Sequence, residues 1–389
     1  MPPLSFYAQH GYGKSDKLEV LADRGVLGGV ILSPADESID ALRGTARVMA
    51  TKNVETLLDP QTYVYTIPNA VGRCHGELGL DFGTIYWGSI TPADIEAQVE
   101  AVIAANVTIG TTGPVIAPAP RQGTFNDLWL PVALQYARTT SARAGGRAVL
   151  ASVVVEEAAL GDWTGIERWL DVATTLDLQG FYIVIGRRTP YPAAWDRVAL
   201  CNLLRIIYRL QILNEYRLVI GYADMGGLAA IAMGADAIAS GWNYRQRHFL
   251  SERWVPRAGG QAPVPRVTSG PLISALLGLG EMDGAARSPV GPQVLPDDVL
   301  RERMARRPES WTNPQAVVQH LVVLGELVAR MEAAGPIPAR LDFLAAAASE
   351  ARRLLVELAR NGARVDPVHT TAVLNLAAAA ADARAAEGL

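Results

Sequence analysis

Short apolar segments alternate with longer amphipathic segments along roughly the first 250 residues of this chain. The short segments are rich in Val, Ile and Leu, and several are apolar at consecutive positions, as expected for strands covered on both faces. The longer segments carry apolar residues at helical spacing, and Ile95, Val99 and Val102 form one such stripe. The predicted strands cover residues 4–9, 28–33, 54–59, 107–112, 148–155, 178–186, 217–223 and 235–241.

This alternation of strand and helix with short connections predicts parallel strands joined by right-handed crossovers. Eight such units match the usual size of a closed barrel. An open, doubly wound sheet is the alternative, but no Gly-x-Gly-x-x-Gly segment follows the first strand, where a dinucleotide-binding sheet carries it. We therefore predict an α/β fold, a (β/α)8 TIM barrel with a C-terminal α-helical extension.

Changes in composition divide the chain into three predicted regions. Residues 1–255 form the barrel, residues 256–296 are rich in Gly and Pro and indicate a linker or an extended segment, and residues 297–389 form the helical extension. The extension could pack on the barrel or form a small bundle that associates with another chain. Its predicted helices cover residues 297–307, 314–333, 338–361 and 366–386.

Composition and charge narrow the classes of function. The net charge of −4 gives no general attraction to nucleic acids or membranes, so any phosphate-binding surface must be a local patch. The two cysteines, Cys74 and Cys201, are too few for a disulfide framework or a zinc cluster, so we expect buried thiols and no metal site. Since neither a signal peptide nor a long apolar stretch is evident, we expect a cytoplasmic protein without membrane contact.

Candidate catalytic groups follow four of the predicted strands. His10, Asp59, Glu156 and Asp224 come at the ends of the first, third, fifth and seventh strands, where barrels place their reactive groups. Odd-numbered strands contribute to the same layers, so we expect the three carboxyl groups to converge and one of them to keep its proton. Paired carboxyl groups of this kind catalyse glycosidic-bond chemistry.

Two of these groups also have a structural interpretation. His10 could be held by a loop carbonyl, and Glu156 or its neighbour Glu157 could form an ion pair with Arg187 or Arg188.

Candidate substrate-binding residues are aromatic or basic. Tyr63, Trp242 and Tyr244 are suited to stacking on a planar ligand, and Arg187, Arg188 and Arg245 are suited to binding anionic groups. The last of these arginines belongs to the segment 244–248, Tyr-Arg-Gln-Arg-His, in which basic and aromatic residues alternate. A solvated exit helix is the alternative interpretation of that segment.

The segment 219–242, VIGYADMGGLAAIAMGADAIASGW, places Gly226 and Gly227 before a predicted helix, where exposed N–H groups commonly hold a phosphate. It resembles the closing units of phosphate-binding (β/α)8 barrels, including flavin mononucleotide and sugar-phosphate enzymes. The resemblance implies a phosphate near these two glycines. Those barrels continue with a small Gly-rich turn, whereas here Gly241 is followed by Trp242.

The residues Gly221-Tyr222-Ala223 and Gly226-Gly227-Leu228-Ala229 are also similar to a segment of the tRNA-guanine transglycosylase superfamily of barrels. That family exchanges a base through an aspartate nucleophile, so the resemblance implies glycosidic-bond chemistry. The zinc-binding cysteine and histidine cluster of the family is absent from this sequence.

Three hypotheses follow. The first is a barrel enzyme that acts by glycosidic-bond chemistry on a nucleotide, nucleoside or nucleic-acid base, without a cofactor, so that its partner is a phosphorylated small molecule or a nucleic acid. The second is a flavin- or sugar-phosphate-binding enzyme, with FMN as its cofactor in the flavin case. The third is a non-catalytic scaffold that forms homo- or hetero-oligomers through its C-terminal helices.

Overall fold

Eight parallel strands lie side by side in a nearly closed barrel. The computed structural model describes residues 5–11, 13, 15–86, 88–189, 191–255, 265–277, 280–296 and 312–389. The strands are β1 (Ser5–Gln9), β2 (Gly29–Leu32), β3 (Glu55–Leu58), β4 (Val115–Ile116), β6 (Val149–Glu156), β7 (Gly180–Gly186), β8 (Arg217–Gly221) and β9 (Ala237–Gly241), with a short β5 (Arg121–Gln122) beside β6.

The order of the paired strands is β3-β2-β1-β9-β8-β7-β6-β4. Gly29 lies opposite Glu55 and Leu32 opposite Leu58, so the second and third predicted strands are parallel neighbours. The predicted (β/α)8 barrel with a helical extension is confirmed.

The contact between β3 and β4 is made differently from the others. In the described part of the chain these two strands share no ladder, and threonines join them instead. The N–H of Thr56 donates to Oγ1 of Thr112 (3.0 Å), the N–H of Thr112 donates to Oγ1 of Thr56 (3.1 Å), and the N–H of Gly113 donates to the carbonyl of Thr56 (2.9 Å). We call this contact the threonine seam.

Helices cover the outside of the barrel. They are α1 (Lys17–Asp23), α2 (Ile39–Thr51), α3 (Pro92–Ile109), α4 (Leu130–Arg143), α5 (Trp163–Ala173), α6 (Arg197–Ile207, followed by a π turn Tyr208–Leu213) and α7 (Gly227–Met233). The start of α3 matches its sequence signature, because Thr91 and Asp94 form a capping box around Pro92.

The predicted fourth strand, residues 107–112, is wrong. Residues 107–109 form the last turn of α3, which ends at Gly110 in the left-handed region (φ 81°), and the strand begins only at Val115. The run of β-branched residues suggested a strand, but Ile109 packs against the barrel as part of a buried helical face. Short apolar runs do not distinguish the two elements, and here tertiary packing decides.

The described C-terminal part packs on the barrel. It consists of an antiparallel hairpin, β10 (Arg266–Ser269) and β11 (Ser274–Leu277), and of helices α8 (Glu281–Arg287), α9 (Gly291–Val294), α10 (Asn313–Ala333), α11 (Ile337–Arg360) and α12 (Pro367–Ala386). α10 contacts β1 and β10, α11 contacts α7, and α12 contacts α6. The predicted linker thus includes a hairpin and two short helices, and the predicted helix 297–307 lies outside the described residues.

Two layers of apolar side chains form the core. The outer layer lies between strands and helices, and the inner layer fills the barrel with residues such as Ile31, Leu57, Leu150, Tyr182 and Val219. Cys74 and Cys201 are free and only half-buried, so the expectation of buried thiols is wrong. None of the described helices has the length and hydropathy that a membrane span requires.

Candidate functional site

A cleft opens at the C-terminal ends of β7 and β8. The loop after β7 contributes Tyr191 and Trp195, and the turn after β8 contributes Asp224 and Gly226. The hairpin and α12 form the opposite wall, which is largely apolar. The C-terminal extension therefore completes a cleft at the end of the barrel where the strands have their carboxyl ends, the end at which barrel enzymes bind ligands.

Arg187 is buried at the end of β7, beside this cleft. Its Nε donates to Glu157 (3.3 Å), its Nη2 donates to the carbonyl of Ala194 (2.6 Å), and its guanidinium lies 4.5 Å from the ring centroid of Trp195. Nη1 has no hydrogen-bond partner among the described residues. A buried N–H without an acceptor is costly, so this position is suited to an incoming anion.

Asp224 is buried next to Arg187. Burial raises the pKa of its carboxyl group, and the positive charge of Arg187 opposes that shift without cancelling it. One carboxylate oxygen accepts the N–H of Gly226 at 2.9 Å. Asp224 can therefore hold a proton to a higher pH than a surface aspartate and act as a general acid.

The N–H groups of Gly226 and Gly227 already form hydrogen bonds within the turn that follows β8. The N–H of Gly226 donates to the side chain of Asp224, and the N–H of Gly227 donates to its carbonyl (2.9 Å). A Cβ on Gly227 would lie 2.9 Å from the Cβ of Ala223 and 3.1 Å from Cδ1 of Ile238, so close packing explains this glycine. The predicted role of both glycines in phosphate binding stays a prediction.

A basic and aromatic cluster lies next to the cleft. The rings of Tyr191 and Tyr244 stack at 5.7 Å, and the buried guanidinium of Arg247 lies 5.3 and 5.0 Å from their centroids. His248 packs edge-on against Tyr191, and burial together with Arg187 lowers its pKa to about 3. Arg266 lies over the same two rings, at 5.9 and 5.4 Å.

Several side-chain nitrogens of this cluster are buried without a hydrogen-bond partner among the described residues. Nη1 of Arg247 and both ring nitrogens of His248 make no hydrogen bond within the described part of the chain. With Nη1 of Arg187, they form a group of unsatisfied nitrogens around Tyr191 and the end of β7. We call Arg187, Arg247 and His248 the cationic cluster after its two arginines, since the low pKa of His248 keeps its ring neutral.

Asp59 lies in a separate, enclosed network inside the barrel mouth. Its carboxylate accepts hydrogen bonds from Tyr63 (2.8 Å), Tyr182 (3.0 Å) and the N–H of Gln61 (3.0 Å). Burial raises the pKa of Asp59 to about 6, although all three hydrogen bonds oppose the shift. Gln61 and Tyr222, which bond to each other at 3.0 Å, adopt left-handed φ angles of 55° and 51°, uncommon for such residues.

The three predicted catalytic carboxyl groups each have their own partners. Asp59 bonds to tyrosines, Asp224 interacts with Arg187, and Glu156 forms an ion pair with Arg121. The shift of Asp59 arises from burial rather than from repulsion between neighbouring carboxylates, which the sequence suggested. Of the two ion-pair alternatives, Glu157 rather than Glu156 binds Arg187.

The remaining predicted residues are distributed around the mouth. His10 is buried with its ring edge-on to Trp242 at 5.4 Å, and Tyr63 packs against Phe249 inside the barrel. Arg188 is exposed and lines a second cleft beside Glu156 and Glu157, and Arg245 is exposed as well. The catalytic role of His10 and the substrate-binding roles of Tyr63, Arg188 and Arg245 stay predictions.

Sequence reasoning missed several members of the site as individual residues. Arg247 and His248 belong to the basic segment 244–248, but burial, which the sequence does not show, distinguishes them from exposed Arg245. Tyr191 and Trp195 lie in a loop without a motif. The only available signal was their place after a predicted strand, at the face where barrel enzymes bind ligands.

No protein-family model matches this chain, and no curated protein matches its sequence. The resemblance to transglycosylases thus rests on the quoted segment alone. Among the described residues, no group of three or more His, Cys, Asp or Glu side chains could hold a metal ion.

Proposed function

We propose that this protein is a barrel enzyme that binds a phosphorylated ligand with a planar group, a nucleotide above all, and acts on its glycosidic bond. The observation that carries the proposal is the cationic cluster, in which Nη1 of each arginine is buried beside a cleft without an acceptor among the described residues. A phosphate would provide several acceptor oxygens and a negative charge to balance the two arginines of the cluster.

The aromatic side chains of the cleft support a planar group. Tyr191 and Trp195 are half-buried and line the cleft, so part of each ring is open to a ligand. Aromatic faces of this kind stack on nucleic-acid bases.

Asp224 supports the chemistry. Its raised pKa allows it to donate a proton to the departing base as the glycosidic bond breaks. Water forms the new bond at the sugar carbon, and the proton that this water loses restores the carboxyl group of Asp224. We infer no cofactor for this reaction. A yellow protein with flavin absorbance would instead indicate the FMN alternative.

Ligand binding is tested by replacing Arg247 with Met, which keeps most of the side-chain volume and removes the charge. We expect a nucleoside monophosphate to bind at least about tenfold more weakly, about 1.4 kcal/mol, with little change for the nucleoside. Stability should stay the same or rise, because the substitution removes a buried charge without a full set of partners. Calorimetry and thermal unfolding measure the two effects.

Arg168→Met provides the control for that experiment, because Arg168 is exposed on α5. It should leave nucleotide binding unchanged. Equal affinity of wild type for the nucleotide and the nucleoside would contradict a phosphate site at the cationic cluster.

The chemical step is tested with Asp224→Asn. The amide keeps the shape of the side chain but cannot donate the carboxyl proton, so we expect base release from nucleotides to slow roughly a hundredfold or more. Affinity for the nucleotide should change far less than turnover. Full base release by the variant would show that Asp224 has no role as an acid.

A further inference from the structure

Three side chains from separate elements form a hydrogen-bonded chain at the apolar wall of the cleft. Ser274 begins β11, His369 lies in the first turn of α12, and Glu281 begins α8. Oγ of Ser274 bonds to Nδ1 of His369, and Nε2 of the same ring lies 3.1 Å from Oε1 of Glu281. All three residues are more than nine-tenths buried.

The donor and acceptor roles follow from the carboxylate. Because an ionised Glu281 can only accept, Nε2 of His369 carries the proton that is shared with it. Nδ1 is then the acceptor for the hydroxyl of Ser274. A nucleophile, a base and an orienting acid occur here in the order found in serine hydrolases, with the two ring nitrogens exchanged relative to the serine protease arrangement.

The acid and the base are held in place together. Oε1 of Glu281 also accepts the N–H of Asp366 at 2.7 Å, and Asp366 caps α12 through the N–H of Val368 (2.9 Å). The helix turn that carries His369 is thereby fixed to Glu281. This support limits the movement of the imidazole. General-base catalysis requires a base that is held in such a fixed position.

Ser274 and His369 both line the cleft, together with Asp224 and Trp195. A ligand in the cleft can thus reach this serine. The preceding residue, Ile273, has a φ of 48°, a strained value for a β-branched side chain. Strain of this kind is concentrated at functional sites.

The chain offers a matched comparison. Ser240 also lies beside a buried histidine, 3.4 Å from Nε2 of His320, but Nδ1 of that ring bonds to Thr268 at 2.8 Å. In His320, the ring nitrogen that does not face the serine bonds to the hydroxyl of Thr268. In His369, the corresponding nitrogen bonds to the carboxylate of Glu281. Ser240, His320 and Thr268 do not line the described cleft.

We infer that Ser274 is a nucleophile that cleaves carboxylic esters in this cleft. Oγ of Ser274 bonds to the carbonyl carbon as its proton moves to Nδ1 of His369, and the π electrons of the carbonyl move to oxygen. The bond to the leaving alcohol then breaks, and the alcohol takes the proton from His369. Water releases the acyl group by the same two steps, so the products are an acid and an alcohol.

The walls of the cleft indicate the kind of ester. Ile273, Ala275, Val373 and Leu376 form its apolar side, which is suited to the acyl chain. This activity goes beyond the proposed function, since it requires neither a phosphate nor a glycosidic bond.

Covalent labelling of the full chain tests the inference. An alkyl fluorophosphonate reacts with activated serines, so we expect one adduct per chain, located at Ser274 by peptide mass spectrometry. Ser274→Ala should abolish the adduct, His369→Gln should slow its formation at least a hundredfold, and Ser240→Ala should react like wild type. Hydrolysis of p-nitrophenyl butyrate should follow the same order.

Glu281 acts through His369 and is a positioning residue, so its test uses rescue by a conservative variant. Glu281→Gln removes the carboxylate, and we expect labelling of Ser274 to slow at least tenfold. Glu281→Asp keeps the carboxylate and should restore part of that rate. Equal labelling rates in the two folded variants would indicate a purely structural role.

Two results would overturn the inference: folded wild type without an adduct at Ser274, or equal labelling of Ser274 and Ser240. The first needs no variant, so poor folding of a mutant cannot obscure it. The probe carries no nucleotide, so failure of nucleotide binding would leave a positive labelling result intact.

Discussion

At the scale of single residues, Asp59 shows how burial and hydrogen bonding compete. Two tyrosine hydroxyls and one N–H stabilise its ionised form, yet loss of water outweighs them and raises the pKa to about 6. Compared with the unfolded chain, the folded protein thus holds the proton of Asp59 to a higher pH. The contribution of Asp59 to stability is present below the ordinary pKa of aspartate and is lost as the pH rises through about 6.

Asp59→Asn should therefore change the pH dependence of stability. The amide imitates the protonated form, while Tyr63 and Tyr182 have Tyr222 and Gln9 as other acceptors, at 3.4 Å each. We expect variant and wild type to be similar near pH 4 and the variant to be more stable near pH 7, by on the order of 3 kcal/mol. Denaturant unfolding at several pH values measures this difference.

A constant difference between the two proteins across that pH range would show that Asp59 does not titrate as described. Turnover of the same variant decides whether Asp59 also acts on a substrate. A loss of roughly a hundredfold would support the catalytic role that its place after β3 suggests.

At the scale of elements, the strand ends were predictable and their contacts were not. The two-residue strand period and the parallel arrangement predict that Asp59, Glu156 and Asp224 lie at the same end of the barrel. They do not predict which partner each side chain selects, as the separate ion pairs of Glu156 and Glu157 show. The β-branched residues at the end of α3 also led to a wrong strand prediction. The segment is helical because Ile109 packs against the barrel, and this tertiary contact is not visible in the local sequence.

The threonine seam between β3 and β4 gives a prediction for paired elements. Thr112→Val keeps the shape of the side chain but removes the acceptor of the buried N–H of Thr56, so we expect a loss of about 1 kcal/mol in the free energy of unfolding. Amide exchange at Thr56 and Gly113 should become faster. Thr108→Val, on the exposed face of α3, should change neither quantity.

Unchanged exchange at Thr56 in the Thr112 variant would mean that water replaces the hydroxyl without cost. The seam would then contribute little to closure of the barrel.

At the scale of the whole molecule, the order of the elements predicted the barrel, since alternation along the chain and closure in space are linked by simple rules. The wall opposite the barrel could not be predicted in this way. His369 and Ser274 are 95 positions apart, and no periodic pattern indicates that a hairpin and a distant helix meet. Such long-range pairs arise only when the extension packs on the finished barrel.

The cleft is lined both by residues of the barrel and by residues of α12, which are synthesised much later, and this has a consequence for biosynthesis. Asp224 leaves the ribosome roughly 150 residues before Leu376, an interval of about 8 to 30 seconds at ordinary rates of translation. During that time the barrel can fold while the apolar surface meant for α12 stays exposed to solvent. The nascent chain is thus a natural client for chaperones, and a ribosome stalled before α12 would hold a folded barrel that is unable to complete its cleft.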